Sequence, residues 1–265
     1  AYLGMVLAAA GWPTWGQFLW ITVAMASART LGMSANRLAD RWIDARNPRT
    51  AARSLVTGAI QPPTVWAGML VSAAVLTIAA AALGPLPLRL LPGALVFLLG
   101  YPFTKRVTWL SHWVLGATDA LAPLGAWAAV RGTLTRAEDA PGWLLFLAVT
   151  FWIAGFDLIY ACQDIAVDRR DGLFSVPAQF GPAAALRISA ACHALTTVLL
   201  ALVGIQMRLP PAYAIGVIVT GGLLAYEHSL VRPDDLSRVN TAFFDVNSVI
   251  SLTLFAATLV AVLMA

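Results

Sequence analysis

The sequence predicts an all-α, polytopic membrane protein, a bundle of nine transmembrane helices around a central cavity, and three observations lead there. Of its 265 residues, 60% fall in the set AVILMFWYC and 11% are charged, with a mean hydropathy of +0.78. A soluble domain carries roughly 25% charged residues and about 45–50% apolar ones. The apolar residues run in long unbroken blocks, not in the short alternating strands of a spanning barrel. Each helix needs about 20 apolar residues to cross the hydrocarbon core, so nine crossings use roughly 180 residues and leave about ten per connection. That excludes a large domain outside the bilayer, and residues 1–265 read as one transmembrane domain.

Blocks bounded by Gly, Pro and charge place the spans near 1–11, 15–38, 64–83, 86–100, 112–130, 142–164, 183–206, 211–227 and 243–264. The first begins at Ala1 without a methionine and reads as the second half of a membrane helix, so an incomplete N-terminus is expected. Trp12, Trp15, Trp66, Trp109, Trp113 and Trp143 sit near span ends, where an amphipathic ring anchors at the interface. Cys162 and Cys192 lie far apart in apolar blocks and read as inert core residues. His112, His193 and His228 share no ligand spacing and are given structural roles.

The connections alternate between two faces, and the basic residues do not. Arg37, Arg41, Arg46, Arg49, Arg53, Lys105, Arg106, Arg169, Arg170, Arg187, Arg232 and Arg238 fall on one face; Arg89, Arg131, Arg136 and Arg208 fall on the other. Cytoplasmic loops are the basic ones, so the first face is cytoplasmic. The net charge of +4 therefore reports topology and gives no support to nucleic-acid binding.

The acids are concentrated. Asp40 and Asp44 close the second span, and Asp164, Asp168 and Asp171 close the sixth. Spans two and six end on the same face, so the two clusters can meet there. At 100° per residue, Arg29, Asn36, Asp40 and Asp44 fall within about 80° of one another, as do Asp157, Tyr160, Asp164 and Asp168. Polar groups are costly in lipid, so both stripes should face inward and line a cavity open to the cytoplasm. Converging carboxylates call for a cation, and hard oxygen ligands suit Mg²⁺, which is commonly held by one or two carboxylates plus phosphate oxygens. Lys105, Arg106, Arg169 and Arg170 stand ready to neutralise phosphate charge. The alternative is a solvated loop network in which the same acids and arginines pair with each other.

The residues Asn36 to Asp44 form an NxxxDxxxD motif, and Asp164 to Asp168 form a second DxxxD. Together they resemble the UbiA superfamily of intramembrane aromatic prenyltransferases. DARNPRTAAR (44–53), YPFTKR (101–106), YACQDIAVDRRDGLFSVPAQFG (160–181) and RPDDLSRVN (232–240) are similar to its 4-hydroxybenzoate polyprenyltransferase branch, including relatives in menaquinone synthesis. The resemblance implies nine helices around a cavity with a lateral opening to lipid, in an integral protein of a bacterial inner membrane. It implies that Asp40, Asp44, Asp164 and Asp168 are catalytic and bind Mg²⁺, and through it an isoprenyl diphosphate. Asn36 would support the first cluster, Lys105 and Arg106 would touch the diphosphate, and Tyr101, Asp157, Tyr160 and Arg169 would join the substrate site. The reaction implied is prenyl transfer to an aromatic acid acceptor, 4-hydroxybenzoate, in ubiquinone or menaquinone synthesis; a naphthoate-type acceptor is the alternative.

Arg29 lies two helical turns below Asn36 on the same face, where the family pattern also has an arginine. It can hold an aromatic carboxylate or a phosphate oxygen, or it can pair with Asp157 or with Asp119, an acid that departs from the usually apolar fifth span of the family. A transporter is the competing class, but transporters place their sites near the bilayer midplane, while these acids gather at a cytoplasmic mouth. Sidedness has a direct test: in a Cys-free variant, cysteine at position 49 or 170 should react with a membrane-impermeant thiol reagent from the cytoplasmic side alone, and labelling from outside would overturn the topology.

Overall fold

The computed structural model describes residues 1–264, and among them each predicted span has its helix. In chain order these are α1 (Tyr2–Ala9) and α2 (Trp15–Ala39), then the short α3 (Arg41–Asp44) and α4 (Ser54–Thr57). The membrane helices resume with α5 (Pro62–Leu83), α6 (Pro85–Thr104), α7 (Ser111–Arg131) and α8 (Ala140–Ala161). Short α9 (Ile165–Arg170) and α10 (Val176–Phe180) lead to α11 (Pro182–Gln206), α12 (Pro211–Ser229) and α13 (Asn247–Leu263). A π-helical stretch, Thr241–Val246, runs into α13. Six of the long helical segments are apolar and long enough to cross a bilayer. Helix α1 has only eight residues, and α2 and α12 carry Arg29 and Glu227.

The local reasons are those of the sequence. Proline opens α5, α6, α11 and α12, where its missing N–H has no partner to lose. At the start of α2, the Thr14 hydroxyl accepts from the Gln17 amide, and Gln17 returns a bond to the Thr14 amide. Apolar side chains such as Leu70, Val96, Ile205, Ile218 and Leu252 remain exposed on the outer faces, as a lipid-facing surface requires.

Packing runs α2–α5–α6–α7–α8–α11–α12–α13, and α1 joins α13 to α7. Helices α2 and α13 share no such interface. Across that gap, the Tyr2 hydroxyl bonds to Thr22 at 3.1 Å, and its ring lies 5.6 Å from Phe18 and 6.3 Å from Phe255. The largest core cluster, with Met5, Leu7, Trp127, Leu145, Val203 and Tyr213, fills the end of the bundle away from the acid clusters. Five of the six tryptophans expected at the interface are exposed, while Trp113 is half-buried against Trp109. Cys162 and Cys192 are free, buried members of one core cluster, as expected.

One expectation needs correction. The polar stripes do not ride on two continuous helices. Helix α2 ends at Ala39, and Asp40 adopts φ −94°, ψ 3° before α3 begins. Helix α8 ends at Ala161, a 3₁₀ turn covers Cys162–Asp164, and α9 follows. Aspartate is a poor helix former, and here each carboxylate at the break is drawn to partners on another segment, so tertiary pairing decides the backbone.

Close approach of helices depends on glycine. A Cβ on Gly116 would meet the backbone oxygen of Thr150 at 2.2 Å, which sets the α7–α8 separation, whereas one on Gly125 would meet nothing within 4 Å. Gly116→Ala should therefore cost about 1–3 kcal/mol and lower the detergent melting temperature, with Gly125→Ala as the near-neutral comparison.

Candidate active site

The site gathers at one end of the bundle, where the segment after α2, the α6–α7 connection and the segment after α8 meet. Asp40 is 3% exposed. Its Oδ2 accepts from Lys105 Nζ at 2.6 Å and from Asn36 Nδ2 at 3.4 Å, while Oδ1 accepts from Arg106 at 3.3 Å. Arg106 also donates to the Ala39 carbonyl, satisfying an orphan acceptor at the end of α2. Asp44, 6% exposed, takes Arg53 Nη1 at 2.6 Å. Buried carboxylates are tolerated only with such partners.

The second cluster is tied to the first by residues immediately after Asp44. Asn47 Nδ2 donates to Asp164 Oδ1 at 2.9 Å, and Arg49 grips both oxygens of Asp164 as a fork. Arg49 also donates to the Tyr160 hydroxyl at 2.8 Å and stands 4.9 Å from the centre of that ring. The π-helical stretch packs Phe243 on Tyr160, with centroids 4.2 Å apart. Asp168 accepts from the Ser175 hydroxyl at 2.7 Å and has Lys105 and Asp164 as charged neighbours. The structure thus brings the four acids singled out by spacing to one end of the bundle, together with Asn47, Arg49, Arg53 and Ser175, which the spacing argument did not pick out as their partners. Nothing in the sequence marks Asn47 or Ser175 as a partner of an acid.

Two arginines expected beside the phosphate are engaged elsewhere. Arg169 Nε donates to the Ala178 carbonyl at 2.8 Å, although its side chain helps line a 240 Å³ pocket that includes Asp168. Arg170 donates to Asp171 and to the Arg46 carbonyl. The Arg170 hydrogen bond and the Arg46 charge hold the Asp171 carboxyl below its usual range. Both arginines are drawn to acceptors next to them in the 165–180 segment. Tyr101 donates to the Gly32 carbonyl at 3.2 Å, fastening α6 to α2.

Deeper in the bundle, Asp119 keeps an accessible side chain between the buried Thr118 and Ala120, and Arg29 is exposed on α2 between the buried Ser27 and Leu31. Asp119 lies within electrostatic reach of Arg29 and of Asp157. Neither acid pairs with Arg29 directly: Asp157 takes its hydrogen bond from His112 at 2.6 Å, and among the described residues Arg29 has no ion pair within 4.0 Å. No three His, Cys, Asp or Glu among the described residues lie close enough to form a ready-made metal cluster. The donor set nonetheless fits Mg²⁺, since two pairs of carboxylates supply the hard oxygens to which phosphate oxygens would add the rest.

Ion-paired carboxylates gathered at one end of an apolar helix bundle define an integral membrane protein with a strongly charged site at that end. The chain belongs to the UbiA prenyltransferase family, whose sequence pattern matches residues 1–264. It is 32% identical over 257 residues to a 4-hydroxybenzoate octaprenyltransferase of Saccharophagus degradans, covering 96% of this chain and 83% of that one. An apo UbiA homolog from Aeropyrum pernix K1 is 32% identical with a TM-score of 0.89, covering 98% of this chain and 94% of that one. A UbiA homolog from Archaeoglobus fulgidus, solved with GPP and Mg²⁺, shares the fold at 20% identity and a TM-score of 0.69, over 98% and 95% of the two chains.

The pairing at Asp44 has a measurable consequence. Arg53→Leu should leave a buried carboxylate without its cation and destabilise the fold by about 3–5 kcal/mol. Adding Asp44→Asn to that variant should restore much of the lost melting temperature, because the uncompensated charge is gone.

Proposed function

We propose that this protein transfers a polyprenyl group from an isoprenyl diphosphate to the ring of an aromatic acid, 4-hydroxybenzoate, in a Mg²⁺-dependent reaction at a site open to the cytoplasm. The observation that carries this reading is the convergence of Asp40, Asp44 and Asp164 with Lys105, Arg106, Arg49 and Arg53 at one end of an apolar bundle, with Arg29, which has no ion pair within 4.0 Å among the described residues, further down α2. A cation left unpaired at such depth is costly unless an anion arrives. The names of the relatives support the acceptor, and the Archaeoglobus homolog bound to GPP and Mg²⁺ supports the donor and the metal.

In this reading Asp40, Asp44, Asp164 and Asp168 are catalytic and would hold Mg²⁺ together with the diphosphate oxygens. Bound there, the metal supplies Lewis-acid stabilisation of the departing diphosphate. Lys105, Arg106, Arg49 and Arg53, which occupy the carboxylates in the ligand-free protein, turn part of their hydrogen-bonding capacity to the phosphates. Asn36 keeps Asp40 oriented, and Tyr101 holds α2 in place through Gly32. Tyr160, held by Arg49 and packed on Phe243, forms an aromatic wall of the substrate site. Arg169 steadies α10 beneath Asp168.

The bond balance is simple. The allylic C–O bond breaks and its electron pair leaves with the diphosphate. The ring carbon ortho to the phenol forms the new C–C bond, and loss of the ring proton restores aromaticity. Arg29 fixes the acceptor carboxylate so that this carbon faces the donor, and Asp157 and Asp119 supply polar contacts on the cavity wall. No nucleophilic side chain is required.

Purified protein given 4-hydroxybenzoate and a polyprenyl diphosphate should form the prenylated acid with Mg²⁺ and none with EDTA; full turnover without metal would end the mechanism. Arg29→Leu should raise the KM for the acid by about ten- to a hundredfold, the worth of a lost charge-assisted pair, while moving the diphosphate KM little. A selective loss of diphosphate affinity would instead assign Arg29 to the donor.

A further inference from the structure

His112 is buried, 3% exposed, at the start of α7, and it makes two hydrogen bonds in opposite directions. The Val176 amide donates to its Nε2 at 3.3 Å. Nε2 is therefore the unprotonated nitrogen, the proton sits on Nδ1, and Nδ1 donates to Asp157 Oδ2 at 2.6 Å. A neutral imidazole with both nitrogens engaged is locked in one tautomer and one orientation.

The two partners belong to different parts of the site. Asp157, on α8, lies within electrostatic reach of Asp119, which is in turn within reach of Arg29. Val176 opens α10 and directly follows Ser175, whose hydroxyl donates to Asp168 at 2.7 Å and accepts from the Ala178 amide at 3.3 Å. The same strip of chain is fastened to Lys105, because the Phe174 amide donates to the Lys105 carbonyl at 2.6 Å. A single imidazole thus stands between the carboxylate on the acceptor side and the loop that orients the carboxylate on the diphosphate side.

We propose that His112 is a positioning residue that sets both substrate subsites from one ring: Nδ1–H aims Asp157 into the acceptor cavity, and Nε2 holds the 173–176 segment that presents Asp168. The two halves of the reaction are kept in register by this link, which the backbone alone does not provide, since α7, α8 and α10 come from separate stretches of sequence. The kinetic part of the proposal rests on the prenyl-transfer reading above; the tautomer does not.

Two conservative variants separate the two bonds. An Asn amide nitrogen falls where Nδ1 stands, and a Gln amide oxygen falls where Nε2 stands. His112→Gln should keep the Val176 bond and lose the Asp157 bond, lowering kcat/KM for the acid by about ten- to a hundredfold while the diphosphate KM stays within about twofold. His112→Asn should do the reverse, preserving the acid KM and weakening the diphosphate. A purely structural histidine would move both substrates alike in both variants, and that result, or no change in either, overturns the proposal.

The chain has three histidines, so ring ¹⁵N spectra of detergent-solubilised protein can be assigned with His112→Gln. The expected His112 signature is a protonated Nδ1 and a pyridine-type Nε2 that shifts when Asp157 is changed to Leu. A protonated Nε2 overturns the proposal whatever the enzyme does. If the wild-type protein shows the expected tautomer but prenylates no aromatic acid, the failure lies with the prenyl-transfer reading, and the ¹⁵N response to Asp157→Leu decides the link by itself.

Discussion

The burial of Asp40 at the end of α2 is the constraint around which the rest is arranged. A carboxylate 3% exposed at the edge of an apolar bundle must be compensated, and Lys105, Arg106 and Asn36 converge on it. Those contacts bring the α6–α7 connection over the end of α2. Once Lys105 is there, its carbonyl takes the Phe174 amide, which brings in the segment carrying Ser175 and lays it against Asp168. From one desolvated charge the two motif-bearing chain segments are drawn to a common mouth.

The same logic explains why the carboxylates are paired with arginine and lysine. Repulsion between acids at a membrane surface is relieved by whatever positive charge is available. In the protein alone this is Lys105, Arg49 and Arg53, with Arg49 and Asn47 bridging the second cluster to the first. This pairing is the network that the sequence offered as the alternative reading, and it is compatible with a binding role, because a diphosphate with a divalent cation brings charges of both signs to the same groups. Arg29 differs from these residues in its place further down α2 and in having no ion pair within 4.0 Å among the described residues.

Much of this was legible in advance. Span positions agreed with the helices to within a few residues, because hydropathy is a local property and each span is read without knowing its neighbours. The DxxxD spacings and the parity of spans two and six placed the four acids on one face. The straightness of the stripes was not legible: the breaks at Asp40 and at Cys162–Asp164 arise because carboxylates there bond to distant segments. The pairing of Arg29 was left open between two acids, and the structure shows Asp157 taken by His112 and Asp119 standing apart from direct contact. His112, read from the sequence as structural for want of ligand spacing, bonds to Asp157 on one side and Val176 on the other, contacts that no spacing rule detects.

Sequence by itself determined the all-helical membrane class of the fold, the positions of its helices and the two acid motifs that the structure brings together, all of which follow from composition, period and motif along the chain. Only the tertiary structure decided which cation meets which carboxylate, that Asn47 and Arg49 reach Asp164 across more than a hundred residues of sequence, that a π-helical stretch seats Phe243 on Tyr160, and that His112 faces Asp157 on one side and Val176 on the other. The reason is physical: hydrophobicity and helical period are sums over neighbours in sequence, whereas the partner of a buried charge or imidazole is chosen by whatever group packing delivers within about 3 Å, and distance along the chain says nothing about that.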